Sequence, residues 1–240
     1  MKLLFALTVG AAAIPQQPSF EEWAAQHGIN GDAVKAAYDA NVVEINRLNS
    51  LNTTAVFGVN QFSGLTAEEF AAIYLTDTED VNDGSFPLRD PVLTGSVASS
   101  IDWVARGGVT PVKDQGSCGS CWTFGSMGVV EAVNKVQTGQ DVILAEQQLL
   151  SCSGEGSCDG GSTTSALKWL KSNTPCLASS YAYTASDSSC KSCSSSHIHV
   201  TEVTLLSKTD SALASALNQS PVAVSLDGSQ MHHYSSGVLQ

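Results

Sequence analysis

The chain has 240 residues, 42% hydrophobic and only 14% charged, which is enough apolar content for a packed core and too little charge for disorder driven by repulsion. With 23 acidic against 11 basic residues the net charge is −12, which argues against nucleic acid and anionic membrane as partners, since both select Lys and Arg. Twenty Gly and seven Pro without a period exclude a collagen-like chain, and no internal stretch approaches the roughly 18 apolar residues of a membrane span.

Lys2, the apolar run over residues 3–9 and Ala11-Ala12-Ala13 before Pro15 read as a secretory signal peptide over residues 1–15. That address predicts a secreted or lysosomal/vacuolar protein, an oxidising lumen and paired cysteines. Residues 14–96 then hold 12 acidic and 3 basic residues and no Cys, whereas all 7 Cys lie between Cys118 and Cys193. Two segments of different character therefore meet near residue 96.

The acidic segment predicts helices. Phe20 and Trp23 are one turn apart. Val34, Ala37, Tyr38, Val42, Ile45 and Leu48 keep helical spacing after Asp32, a candidate N-cap. Val56-Phe57-Gly58-Val59 is short and strand-like, and Thr66-Ala67-Glu68-Glu69 is a capping box opening a third helix that reaches Tyr74. Residues 76–99 read as loop. Asn52-Thr53-Thr54 is a glycosylation sequon; Asn218-Gln219-Ser220 is a weaker one because Pro221 follows.

The cysteine segment carries the chemistry. Gln115-Gly116-Ser117-Cys118-Gly119-Ser120-Cys121-Trp122 precedes a helical pattern through Phe124, Met127, Val130, Val133 and Val136, ending near Gly139. Cys121 thus falls at a helix N-terminus, where main-chain N–H groups and the helix dipole favour the nucleophilic thiolate. The preceding glycines let backbone approach a substrate carbonyl, and the Cys121 amide with the Gln115 carboxamide can donate to an oxyanion. Seven cysteines is an odd count, so in a secreted chain one thiol stays outside the disulfides.

Cys118-Gly119-Ser120-Cys121-Trp122 matches the local signature of the papain and cathepsin nucleophile. Asp102-Trp103 and the run from Gly108 to Gln115 resemble the start of a mature papain-family peptidase. Ala145-Glu146-Gln147-Gln148-Leu149-Leu150-Ser151-Cys152 resembles the family's S-E-Q-x-L-x-x-C helix. Cys158-Asp159-Gly160-Gly161 resembles its C-N-G-G loop, Tyr181-Ala182-Tyr183 its Y-P-Y, and Tyr234-Ser235-Ser236-Gly237-Val238 a late strand. In the acidic segment Tyr38, Asn41, Ile45 and Asn49 match the second half of the propeptide's E-R-F-N-I-N helix, while Asn30 and Val34 stand at its Glu and Arg positions. Gly58, Asn60 and Phe62 match G-x-N-x-F-x-D, with Gly64 replacing the Asp. The family's charged residues at these positions help hold the propeptide fold.

The resemblance, at cathepsin L-like spacing, implies a papain-like α+β fold: residues 16–98 an inhibitory propeptide domain, residues 99–240 a peptidase domain with a helical half and an incomplete β-barrel half beginning near His199. It implies a cysteine endopeptidase precursor with Cys121 and Gln115 catalytic, and substrate contacts from Gly160, Gly161, Ser162, Ala223 and Ser225, the last two on an expected strand over Pro221–Leu226. Partners would be protein or peptide substrates and the chain's own propeptide; a monomer and no cofactor or metal are expected. The resemblance pairs Cys118 with Cys158 and Cys152 with Cys190, leaving Cys176 and Cys193 for a third bridge; by count alone the six cysteines allow many pairings. Cys190 and Cys193 with His197 and His199 have ligand types that suit zinc, but the short intervals and the Ser-rich surroundings favour disulfides.

A papain-type Cys also needs a His as base, oriented by an Asn, roughly 130–150 positions downstream. His27, His197, His199, His232 and His233 do not meet that spacing, and the last two precede the Tyr234–Val238 strand that the family's catalytic His follows. The expectation is therefore a C-terminally truncated chain that carries the nucleophile without its base. A second reading is an inactive fragment or pseudoprotease that binds and inhibits other proteases.

Overall fold

The computed structural model describes residues 16–51, 53–75, 86–91 and 96–239. In chain order its elements are α1 (Phe20–His27), α2 (Asp32–Ser50), β1 (Ala55–Phe57), α3 (Ala67–Tyr74), α4 (Cys121–Thr138), α5 (Glu146–Cys152), β2 (Gly156–Ser157), β3 (Gly160–Gly161), α6 (Thr163–Leu170), α7 (Asp210–Leu217), a 3₁₀ turn (Ser229–His233) and β4 (Tyr234–Gly237). The described residues form two compact units, one within 16–72 and 227–239, the other within 73–226. The expected signal peptide and Asn52 of the sequon lie outside the described residues, as do 76–85 and 92–95 of the expected loop. Among the described residues no helix is long and apolar enough to cross a membrane.

In the first unit, α1 starts on a Ser19–Glu22 capping box and stops at left-handed Gly28. Asp32, expected as an N-cap, is instead the first helical residue of α2, with Gly31 (φ 140°) before it; an acidic side chain in the first turn still meets the helix dipole. Trp23, Ala24 and Tyr38 form a buried cluster that Phe20, Val34, Val42 and Val59 complete. Each large apolar side chain fully buried this way contributes about 1.5–3 kcal/mol.

Polar side chains of α2 then satisfy loop backbone. Asn41 Nδ2 donates to the Ser63 and Leu65 carbonyls, both at 2.8 Å, and Asn49 bonds both the N–H and the carbonyl of Phe57. The indole N–H of Trp23 donates to Asn60 O at 2.8 Å. Thr66 and Glu69 form the expected box at the start of α3.

Val34 and Gly64, two positions where the family carries charge, lie side by side. A Cβ at Gly64 would stand 2.5 Å from Trp23 Cη2 and 2.9 Å from Val34 Cγ1. The indole and an isopropyl group fill the place of the charged contact, and no side chain fits at 64. The unit closes with β4 antiparallel to β1, pairing Ala55 with Gly237 and Phe57 with Tyr234. Gly237 (φ 88°) is required there, because a Cβ would reach 2.1 Å from Thr54 O.

The second unit is built around α4. Trp122, Met127 and Val130 on its inner face pack with Leu144, Leu149, Leu150, Ala166 and Leu170 from the segments around α5 and α6. The helix ends at left-handed Gly139, whose N–H bonds Lys135 O. Residues 87–89 run parallel to Leu205 through Leu205 N to Pro87 O and Arg89 N to Leu205 O. Sheet is sparse: β2 and β3 form a two-residue ladder. Pro221–Leu226, expected as a strand, carries no ladder, and residues 199–226 hold α7 and the single Leu205 bridge. A strand exists only where a partner accepts its backbone hydrogen bonds, and apolar alternation alone does not supply one.

Candidate active site

Cys121 is the first residue of α4, is exposed, and is the cysteine outside the three disulfides. The disulfides join Cys118 to Cys158, Cys152 to Cys190 and Cys176 to Cys193. Cys190 and Cys193, the thiols of the zinc alternative, are therefore both consumed as disulfides. The first bridge ties the turn before Cys121 to the glycine loop, and Gly119 N reinforces it by donating to Cys158 O at 2.7 Å.

Gln115 sits on the same turn. Its Nε2 donates to Cys118 O at 2.8 Å, which holds the carboxamide beside the helix start and leaves the second N–H of the amide to another acceptor. Gly116 takes φ 61° and its N–H bonds the Asp114 carboxylate, so the chain reverses just after Gln115.

The glycines have a measurable reason. Gly160 takes φ 123°, and a Cβ at Gly161 would fall 2.5 Å from the Trp122 ring. The β2–β3 ladder packs against the Trp122 indole because Gly156 and Gly161 carry no side chain there, and Trp122 Nε1 donates to Ser157 O at 3.2 Å. Ser162 is the N-cap of α6, its hydroxyl accepting from Ser165 N at 3.1 Å. Ala223 lines a cavity of about 340 Å³ with Val109, Phe124, Gly128 and Val129. Ser225 is exposed on the segment that lacks the expected strand.

Behind the helix start lies a polar network that no motif had singled out. Fully buried Glu131 accepts from Lys113 Nζ and Thr110 Oγ1, both at 2.5 Å, and from Leu144 N at 2.7 Å. Lys113 also pairs with buried Glu146, whose pKa burial pushes up against the lowering effect of that same lysine. The next two residues anchor two loops. Gln147 bonds Thr184 N and Ser186 O, and Gln148 bonds Cys176 N and Thr174 O. A glutamate on the buried face of α4, four residues after Met127, is the signal that would have exposed the network.

The two late histidines belong to the first unit. His232 stacks on Phe70 with ring centroids 4.5 Å apart, and its Nε2 lies 3.1 Å from Phe62 O. His233 stacks on His232 at 4.1 Å and is buried with no hydrogen-bond partner for Nδ1. Their main-chain carbonyls accept from Asn60 Nδ2 and Gly58 N.

Comparison with known proteins agrees with this geometry. Residues 97–240 match the papain family cysteine protease profile. The chain is 34% identical to a senescence-specific cysteine protease of Oryza sativa subsp. japonica, over 91% of this chain and 69% of that one. It is also 34% identical to cysteine proteinase 5 of Dictyostelium discoideum, over 99% and 74%. Among solved structures it resembles a recombinant stem bromelain precursor (TM-score 0.74, 29% identity, 91% of this chain and 75% of that one). It also resembles digestive procathepsin L 3 of Tenebrio molitor larval midgut (TM-score 0.78, 27% identity, 91% and 76%). The chain belongs to the papain family of cysteine proteases and is a cathepsin L-like cysteine endopeptidase precursor.

Proposed function

We propose that residues 16–98 are an inhibitory propeptide and residues 99–240 the peptidase domain, with Cys121 as nucleophile. Its sulfur attacks the scissile carbonyl carbon, and the carbonyl electron pair moves to oxygen. The Cys121 amide and the second N–H of Gln115 receive that oxyanion. Collapse of the intermediate expels the amine, which needs a proton, and leaves an acyl-enzyme for water to hydrolyse. Gly160, Gly161 and Ser162 bound the substrate on one side; Ala223 and Ser225 are assigned to the same cleft. The observation that carries the reading is Gln115 tied at 2.8 Å to Cys118 O on the turn that delivers Cys121 to a helix N-terminus.

The base and its orienting Asn are proposed to be absent from this chain. His232 and His233 precede β4, the strand that the family's catalytic histidine follows, and both rings are stacked within the first unit. The same engagement supports the alternative, an inactive protease-binding inhibitor. Two measurements test these readings on the full chain. Alkylation followed by mass spectrometry is expected to label Cys121 alone, and label on Cys118 or Cys158 would reject the nucleophile assignment. A fluorogenic peptide is expected to go uncleaved; turnover abolished by His232→Ala or His233→Ala would place the base in this chain after all.

A further inference from the structure

We propose that Tyr183 is a positioning residue for the oxyanion donors, acting through the main chain of Gln115 and the hydroxyl of Ser120. The inference rests on the assignment of Gln115 and Cys121 made above.

The hydrogen-bond directions follow from chemistry. Tyr183 Oη is 2.7 Å from Gln115 O and 2.6 Å from Ser120 Oγ. A carbonyl only accepts, so the phenol proton goes to Gln115, and the fully buried Ser120 hydroxyl donates to the phenol oxygen at 2.6 Å in preference to Cys118 O, which lies 3.5 Å away. One hydroxyl group thus bridges the residue that carries the side-chain oxyanion donor and the residue that precedes the nucleophile. It also redirects Ser120. That residue occupies the N-cap position of α4, where a serine commonly accepts from the helix's first N–H groups, yet it makes no such side-chain bond. The end of α4 next to Cys121 is therefore not covered by its own cap.

Tyr183 is itself held from several sides. Its ring meets Phe124, in the first turn of α4, edge-on with centroids 5.0 Å apart. The next residue, Thr184, bonds Gln147 of α5 through its N–H at 2.9 Å, and Cys190 bridges to Cys152 at the end of the same helix. Burial pushes the phenol pKa above its ordinary value, which keeps the hydroxyl protonated as the donor. The bridge joins residues more than 60 positions apart, and the Y-A-Y motif acquires a role from it: its second tyrosine sets where Gln115 stands.

The test uses the full chain and two electrophiles with different needs. Iodoacetamide reacts with a thiolate by displacement of iodide at carbon and builds no oxyanion. N-acetylglycinal adds reversibly: a C–S bond forms, the carbonyl π pair moves to oxygen, and that oxygen takes a proton from solvent. Its affinity is read as protection of Cys121 from alkylation. Loss of an oxyanion donor outright costs about 10²–10³ in the family of acyl-transfer enzymes; a displaced donor is expected to cost about tenfold. Tyr183→Phe should therefore weaken the aldehyde about tenfold and leave the iodoacetamide rate within about twofold, while Gln115→Ala weakens the aldehyde more. Parallel loss with both electrophiles would make Tyr183 merely structural and overturn the proposal. An unchanged aldehyde affinity in Tyr183→Phe, with Gln115→Ala still weakened, would overturn it too. No effect in Gln115→Ala would instead remove the oxyanion assignment on which it rests. Should Tyr183→Phe fail to fold, Ser120→Ala strips the other leg of the bridge and must show the same selective loss, or the proposal falls.

Discussion

Both units tie loop backbone with amide side chains, but they differ in the ionisable groups they bury. The second unit has three disulfides and a lysine between two buried glutamates. The first has no cysteine; it is held by ring stacks, by amide side chains on loop backbone and by a buried pair of histidines. Burial lowers the pKa of the two histidines in one and raises that of Glu146 in the other, so acid should act on these groups with opposite sign. Acid is therefore expected to weaken the first unit more than the second.

Removing the lysine is the strongest way to test the second half of that contrast. Lys113→Met leaves Glu131 and Glu146 buried without their cation, and breaking a buried pair this way typically costs about 3–5 kcal/mol. The pH dependence has a definite sign. Burial raises the Glu146 pKa even with Lys113 present, so a folded-state pKa above the unfolded one is expected to rise further without it. The folded protein then binds the proton more tightly than the unfolded chain, and the penalty shrinks as pH falls. Urea denaturation at pH 7 and pH 5 should show the variant recovering part of its deficit in acid. A deficit that grows in acid would break the comparison.

The histidine pair gives the next effect. Burial first, then the neighbouring His232, lower His233 to about 4, and Glu44 alone opposes them. A depressed histidine pKa means that the unfolded chain takes up its proton first. The associated stability is whole above about pH 6.5 and is lost as pH falls from there to about 4. For His233 this amounts to about 3 kcal/mol by the linkage relation. The exposed carboxylates of the same unit act in the same direction: a bond from Ser19 N–H lowers Glu22, and Arg47 lowers Glu44. Protection factors of amides in 53–72 and 227–239, corrected for the intrinsic exchange rate at each pH, should fall between about pH 6.5 and 4, with His233→Leu flattening the dependence. An unaltered profile in that variant would remove the histidines from the acid response.

What was readable from sequence divides along the same lines as what is local. The Thr66–Glu69 box, the start of α4 at Cys121 and its stop at Gly139 depend on residues within a few positions, and the structure has them where the pattern does. Asp32 shifted by one residue because cap and first-turn positions both favour an acid. Papain-like identity was legible because its motifs are short and rigid. What sequence could not supply were contacts between distant positions: Tyr183 on Gln115, β4 on β1, and the Trp23 ring at Gly64. The segment over Pro221–Leu226 shows the converse, a pattern suited to a strand with no ladder to join.

Gly64 offers a smaller test of how the first unit does without a charged contact. Any side chain there must displace the Trp23 ring or Val34, since a Cβ would lie 2.5 Å from one and 2.9 Å from the other. Overpacking of this kind costs about 1–3 kcal/mol. Gly64→Ala should lower the denaturation midpoint accordingly, and Gly64→Ala with Val34→Ala should recover part of it, because the two sites touch and are not additive. Equal losses in the single and double variants would show that the indole, not Val34, sets the limit.

The smallest effect is expected at the exposed ion pairs, and its smallness is informative. Arg89 reaches Glu202 at 2.7 Å, with both side chains more than 60% exposed. Such pairs are worth about 0–1 kcal/mol, because water screens the attraction and two long side chains lose rotamer freedom. The segment around Arg89 has better anchors: Phe86 is buried, and Pro87 and Arg89 exchange backbone hydrogen bonds with Leu205. Arg89→Ala should therefore leave the denaturation midpoint almost unmoved and insensitive to salt, while Phe86→Ala should loosen residues 86–91 in hydrogen exchange. A large, salt-dependent loss in Arg89→Ala would mean that exposed charge, and not burial, fastens this segment, and the division between the units drawn above would have to be redrawn.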